Sequence, residues 1–187
     1  MAAMRALIPC LLILFVGCGR AQYKGRSEAA SVSVPIMVAN SDYYFEFGQR
    51  VPGEASGRVE ISKVILTGQA FWSGKSSAEL ELRLSLRGNT AANSLMVHGT
   101  NAPAEWAEAQ VIFDEDIAPN YVIKKLDSGN IYDIAGSAIA RQNFWLIVRV
   151  KALGSDVAES FTLENVQTYT EGTKSFAPLS PLTNLGF

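Results

Sequence analysis

Side chains that could act as acids, bases or nucleophiles are few in this 187-residue sequence. There is one histidine, His98, in the run LMVHGT. A serine–histidine–carboxylate arrangement would need that imidazole beside a serine on a strained turn and a buried acid. No Gly-x-Ser-x-Gly nominates the serine, so His98 reads as a polar strand residue near a loop. Zinc takes several His or Cys ligands, and the only cysteines are Cys10 and Cys18. Tyr121 stands four residues before Lys125, as in some dehydrogenases, but no glycine-rich strand–turn–helix accompanies it. No enzyme activity is expected.

Two other constellations could hold a ligand. FDEDIAPN supplies Asp114, Glu115, Asp116 and Asn120, oxygen donors of the kind calcium takes six to eight of. Their spacing is not that of an EF-hand, and acids leaving a strand also keep an edge solvated. Asp114, Asp116 and Asn120 are thus weak calcium candidates, and no cofactor is expected. Trp72, beside Phe71, and Trp106, in PAEWAE, are candidate platforms on which a sugar could stack. The Tyr43-Tyr44 pair is a similar but lesser candidate. Neighbouring strand residues point to opposite faces, so at most one of each adjacent pair is free.

These residues need strands to position them. In AELELRLSLRG, Leu80, Leu82, Leu84 and Leu86 alternate with Glu79, Glu81, Arg83, Ser85 and Arg87. That period of two predicts a strand with one wet side, although Leu, Glu and Arg favour helix. SVSVPIMVA, YYFEFG, RVEISKVILTG, SLMVHG, AQVIFDE, NYVIKKL, FWLIVRVKAL and ESFTLENVQTYT follow the same logic. About nine strands result. Pro35 places the first at an edge or bulge, and FWLIVRVKAL has the apolar content of a central strand.

Two long hairpins are expected, one turning at Ser73–Ser76 and the other near Gly154–Asp156. Between them NAPAEWAEA, with Pro103 early, and NIYDIAGSAIARQ read as short helical segments. There, Ile131, Ile134, Ala135, Ala138 and Ile139 keep helical spacing while Gly136 weakens it. The pattern implies an all-β fold, a single antiparallel β-sandwich of jelly-roll type, with a closed β-barrel as the alternative. No internal repeat suggests a solenoid or propeller.

The first residues are of another kind. In LLILFVGCGR an apolar run ends in Gly-Cys-Gly. The run from Ala6 to Val16, preceded by Arg5, is too short for the ~20 residues that span a bilayer and has the layout of a signal peptide. Phe15-Val16-Gly17-Cys18 resembles the lipobox of a bacterial lipoprotein precursor, although Phe15 replaces the commoner Leu and Pro9 interrupts the run. The resemblance covers about twenty residues. It implies cleavage before Cys18 and lipid acylation of that cysteine, palmitate among the acyl groups. Each buried methylene contributes about 0.8 kcal/mol, so two or three chains hold a protein on a membrane. Gly19, rather than Asp, after the cysteine favours the outer membrane where a host has two.

On that reading the chain divides into a signal peptide (1–17), a lipidated flexible tether (18–30), a sandwich domain (31–171) and an extended C-terminal tail (172–187). The 170 residues left after cleavage contain no cysteine pair for a disulfide. From Ser31 on, twelve Lys and Arg face seventeen Asp and Glu, a formal charge of −5. That balance shows no basic face for nucleic acid. The expectation is a lipid-anchored cell-envelope lipoprotein, non-catalytic, binding another envelope protein or assisting its assembly. The alternative is a carbohydrate-binding module for surface polysaccharide or peptidoglycan.

Overall fold

A computed structural model describes residues 19–36, 40–52, 59–85, 94–135, 143–154 and 159–176. Its ten strands are β1 (Arg20–Arg26), β2 (Ala30–Ile36), β3 (Asp42–Arg50), β4 (Val59–Trp72) and β5 (Ala78–Ser85). They continue with β6 (Leu95–Gly99), β7 (Gln110–Ile117), β8 (Lys124–Asp127), β9 (Asn143–Ala152) and β10 (Glu159–Ser175). They form two antiparallel sheets. The first runs β1-β10-β4-β8, with β2 also on β10, and the second runs β6-β3-β9-β5-β7. The fold is an all-β sandwich of jelly-roll type. Among the described residues the sheets stay separate, so the barrel alternative is not adopted.

Alternation built the core as read. Leu80, Leu82 and Leu84 of β5 meet Phe144, Leu146, Val148 and Val150 of β9 and Phe45 and Phe47 of β3. From the first sheet come Val64, Leu66, Ala70, Trp72, Phe161 and Leu163. Strand β9 is central and nearly continuously buried. Pro35 lies on β2, whose partner is β10, so its missing N–H falls where an edge tolerates it. The helical segments are a four-residue 3-10 turn, Ala104–Ala107, after Pro103, and a helical turn at 132–135. Gly136, Ala138 and Ile139 lie outside the described residues.

The two expected hairpins are absent, and the reason is topological. β4 and β5 belong to opposite sheets, as do β9 and β10. Each pair is an arch that crosses the core. The arches interlock: β4 pairs with β10 in one sheet and β5 with β9 in the other. Sequence alternation is the same for hairpins and arches, so it could not tell them apart.

Trp72 sits where the first arch turns. It is fully buried, and its indole N–H donates to Ser76 O at 2.8 Å. A Cβ at Gly74 would collide with that indole nitrogen and with the Glu159 carboxylate. Glycine is therefore required for the chain to fold back over the ring.

Both ends of the domain also differ from expectation. The 18–30 segment is not a tether from Arg20 onward, because β1 pairs in register with the end of β10, from Arg20↔Ser175 to Arg26↔Tyr169. Gly172 to Ser175, expected to open the tail, supply part of that ladder. Neither segment alternates in hydropathy, but a ladder is closed by backbone N–H and C=O groups that every such residue carries. Residues 177–187 of the tail lie outside the described residues.

Trp72→Ala should lower unfolding free energy by about 3–5 kcal/mol, the usual cost of emptying a core aromatic site, while Trp106→Ala should cost clearly less. Urea unfolding followed by circular dichroism decides this, and equal losses would mean Trp72 is not the wedge of the arch.

Candidate functional site

The far side of the second sheet carries most of the polar side chains. Register aligns them in rows: Asp42, Lys151, Glu79 and Asp116, then Tyr44, Arg149, Glu81 and Asp114. The next row has Glu46, Ile147 and Arg83. This face was expected to be wet along β5. Instead Tyr44, Glu46, Glu81, Ser85, Trp145 and Ile147 are all buried.

Buried charges need partners, and here they form a chain. Arg149 Nη2 lies 2.9 Å from Glu81 Oε2, and its Nη1 lies 3.2 Å from Asp42 Oδ1 and 3.7 Å from Glu79. Arg83 Nε donates to the other Glu81 oxygen at 2.6 Å. Burial works against the Arg149 charge, but Glu81, Asp42 and Glu79 overcome it and hold the guanidinium above its ordinary pKa. Tyr44 is pushed up from its ordinary 10.0, first by burial and then by Asp42.

Trp106 closes this network. Arg83 stacks 4.0 Å over the indole ring and donates Nη1–H to the Trp106 carbonyl at 2.8 Å. Tyr44 meets the ring edge-on, centroids 5.1 Å apart at 72°. The indole is half-buried, with Arg83 already against its ring. Of the two proposed sugar platforms, Trp72 is therefore excluded by burial, and Trp106 is engaged within the protein. Sequence alone does not reveal that Arg83 and Trp106, 23 residues apart, share a face.

His98 lies at the sheet's edge strand, its Nε2 3.6 Å from Glu46 Oε2. Beside the 3-10 turn a cleft of about 320 Å³ is lined by Leu84, Ser85, Ala109 and Ile134 and by Glu105 and Glu108. Asp114 and Asp116 line up along β7 opposite Glu81 and Glu79. Asn120 lies beyond the strand with φ 59°, and its N–H donates to Gly74 O. Among the described residues no group of three or more His, Cys, Asp or Glu is placed to hold a metal. Cys18 lies outside the described residues.

NYVIKKL, read from the sequence as one strand, is extended only from Lys124 onward, and Asn120–Ile123 form a loop after β7. Tyr121, Val122 and Ile123 are 56%, 54% and 56% exposed. Asn120 and Tyr121 both take positive φ, 59° each, a conformation that non-glycine residues seldom adopt. Tyr121 N–H donates to Trp72 O at 2.8 Å, and its hydroxyl is 3.3 Å from Ser160 Oγ. The loop is tied to the arch at one end of the sandwich. At the other end of β10, Phe176 N–H donates to Gly19 O at 3.0 Å.

No family model and no curated protein matches the sequence. Among solved structures, the infectious bursal disease virus Gx strain is 9% identical over 90% of this chain and 43% of that one, with a TM-score of 0.30. The VP2 subviral particle of infectious bursal disease virus is 7% identical over 89% and 44%, with a TM-score of 0.25. This chain spans less than half the length of those chains.

Two outcomes test the network. Arg149→Ala should cost about 1–3 kcal/mol, because Glu81 loses a cation while still buried. Asp42→Asn, at a more exposed carboxylate, should cost under about 1 kcal/mol. For Tyr44, a raised pKa means the folded chain holds the phenol proton more tightly than the unfolded one. Its contribution is complete below pH 10.0 and is lost as pH rises through the folded value. Tyr44→Phe should therefore flatten the loss of stability above that pH. Urea midpoints on either side of it provide the measurement.

Proposed function

We propose that this protein is a lipid-anchored lipoprotein of the cell envelope that binds or assists another envelope protein through the loop Asn120–Ile123. The observation that carries the proposal is three consecutive apolar residues held outward at the sandwich end remote from Gly19. From Ser160 to Ser175, β10 covers roughly 50 Å of strand at ~3.3 Å per residue. Exposed apolar residues lose favourable free energy in water and regain it when a partner covers them, at ~25 cal/mol per Å². Two left-handed residues in a row, Asn120 bonded to Gly74 and Tyr121 to Trp72 and Ser160, fix the loop before binding, which lowers the ordering cost of association. The lipobox at Phe15–Cys18 supports the anchor. The ion chain beneath Trp106 supports a structural rather than a carbohydrate-binding role for that tryptophan.

A photo-crosslinking residue at Val122, in the acylated protein within native envelopes, should yield one or two dominant protein adducts. Ile123→Ser should cut them sharply and leave Tm within about 2 °C, since an exposed site away from the core changes stability little. Cys18→Ala should release the protein from the membrane fraction. Adducts spread over many proteins, or unchanged in the serine variant, would sink the binding role. Retention of the alanine variant would sink the anchor.

A further inference from the structure

We propose that β1 lies along an anionic lipid surface, with Arg20, Lys24 and Arg26 facing the headgroups. The inference rests on acylation of Cys18. That cysteine directly precedes Gly19, whose carbonyl is already bonded to Phe176 N–H, and Arg20 is already in register with Ser175. One residue spans at most about 3.5 Å. The acyl chains therefore leave the fold at the start of β1, without the slack a tether would give.

Alternation then decides what faces the membrane. Tyr23 packs toward the core, so Arg20, Gln22, Lys24 and Arg26 project from the opposite side, and all four are exposed. The three cations are spread along roughly 20 Å of an outer strand. Among the acids in the neighbouring rows, Glu171 stands across from Lys24. It is engaged by Lys63 at 3.7 Å and by the Tyr169 hydroxyl at 2.9 Å. Glu60 stands beside Thr173, and Glu28 follows the strand. With Lys63 counted, the face keeps an excess of positive charge on a domain that is otherwise acidic. Phe176, 49% exposed beside Gly19, adds an aromatic ring at the attachment point, suited to the interfacial zone.

Screening sets the posture. At physiological salt the Debye length is about 8 Å, so a strand standing on end would leave Arg26 outside the surface potential. Laid along the membrane, all three cations lie within it, and each strengthens surface association by about fivefold.

The test uses the purified acylated protein in phosphatidylcholine vesicles and in phosphatidylglycerol-rich vesicles. Lysine acetylation is read by mass spectrometry, with exposed Lys75 at the far arch as internal reference. Lys24 should react several-fold more slowly on the anionic vesicles, high salt should restore it, and Arg20→Gln with Arg26→Gln should remove most of the difference. Equal Lys24 reactivity on both vesicles, with acylated Cys18 confirmed in the same spectra, overturns the docking and leaves the anchor standing. Absence of acyl groups on Cys18 ends both.

Discussion

Strand β10 is the member on which the other parts hang. One edge of it is hydrogen-bonded to β4 over most of its length, and the other is shared by β2 and β1. It must also join, through its arch, to β9 at the centre of the opposite sheet. Because β4 continues into β5, and β5 pairs with β9, neither arch can shift without moving the other. Register in each sheet is thereby locked to register in its partner, and Trp72 fills the space where the first arch turns. A one-residue slip would turn the leucines of β5 away from the core.

The same sheet geometry explains why charged residues lie buried on the far face. Glu46 is fully buried and Glu81 nearly so. An unpaired carboxylate in that position would be costly, and cross-strand alignment supplies the remedy, with Arg149 and Arg83 on either side of Glu81. The guanidinium of Arg83 then serves twice, as an ion-pair partner and as a lid on Trp106. Burial and aromatic stacking on this face are consequences of one arrangement of charge.

The proposed function draws on groups that the sandwich leaves exposed. Its interior and its far face take up many of the large side chains. Among the described residues, exposed large hydrophobics stand on edge strand β6 (Leu95, Met96, Val97), at Val111, Leu153 and Phe176, and in the arch-held loop Tyr121–Ile123, while exposed cations line β1. The proposed anchored binding module would turn β1 toward lipid and leave the loop Tyr121–Ile123 open to a protein. The charge contrast between β1 and the acidic remainder of the domain points the same way.

Composition and alternation alone determined the fold class, the central place of FWLIVRVKAL, the edge position of Pro35 and the inward set Leu80, Leu82 and Leu84. These are local properties, since a strand's two faces are written in every second residue. The resemblance of Phe15-Val16-Gly17-Cys18 to a lipobox is likewise a contiguous pattern, which can be read without a fold. What the tertiary structure decided is everything that depends on which strand lies beside which. It made arches of the supposed hairpins, turned the supposed tether into β1 and sent Trp72 into the core. It also brought Arg83 to Trp106, and Tyr121 to Trp72 and Ser160. Backbone hydrogen bonds pair any two segments that are brought together, whatever their side chains, so partner choice is set by the closure of the whole sandwich and leaves no periodic mark in the chain.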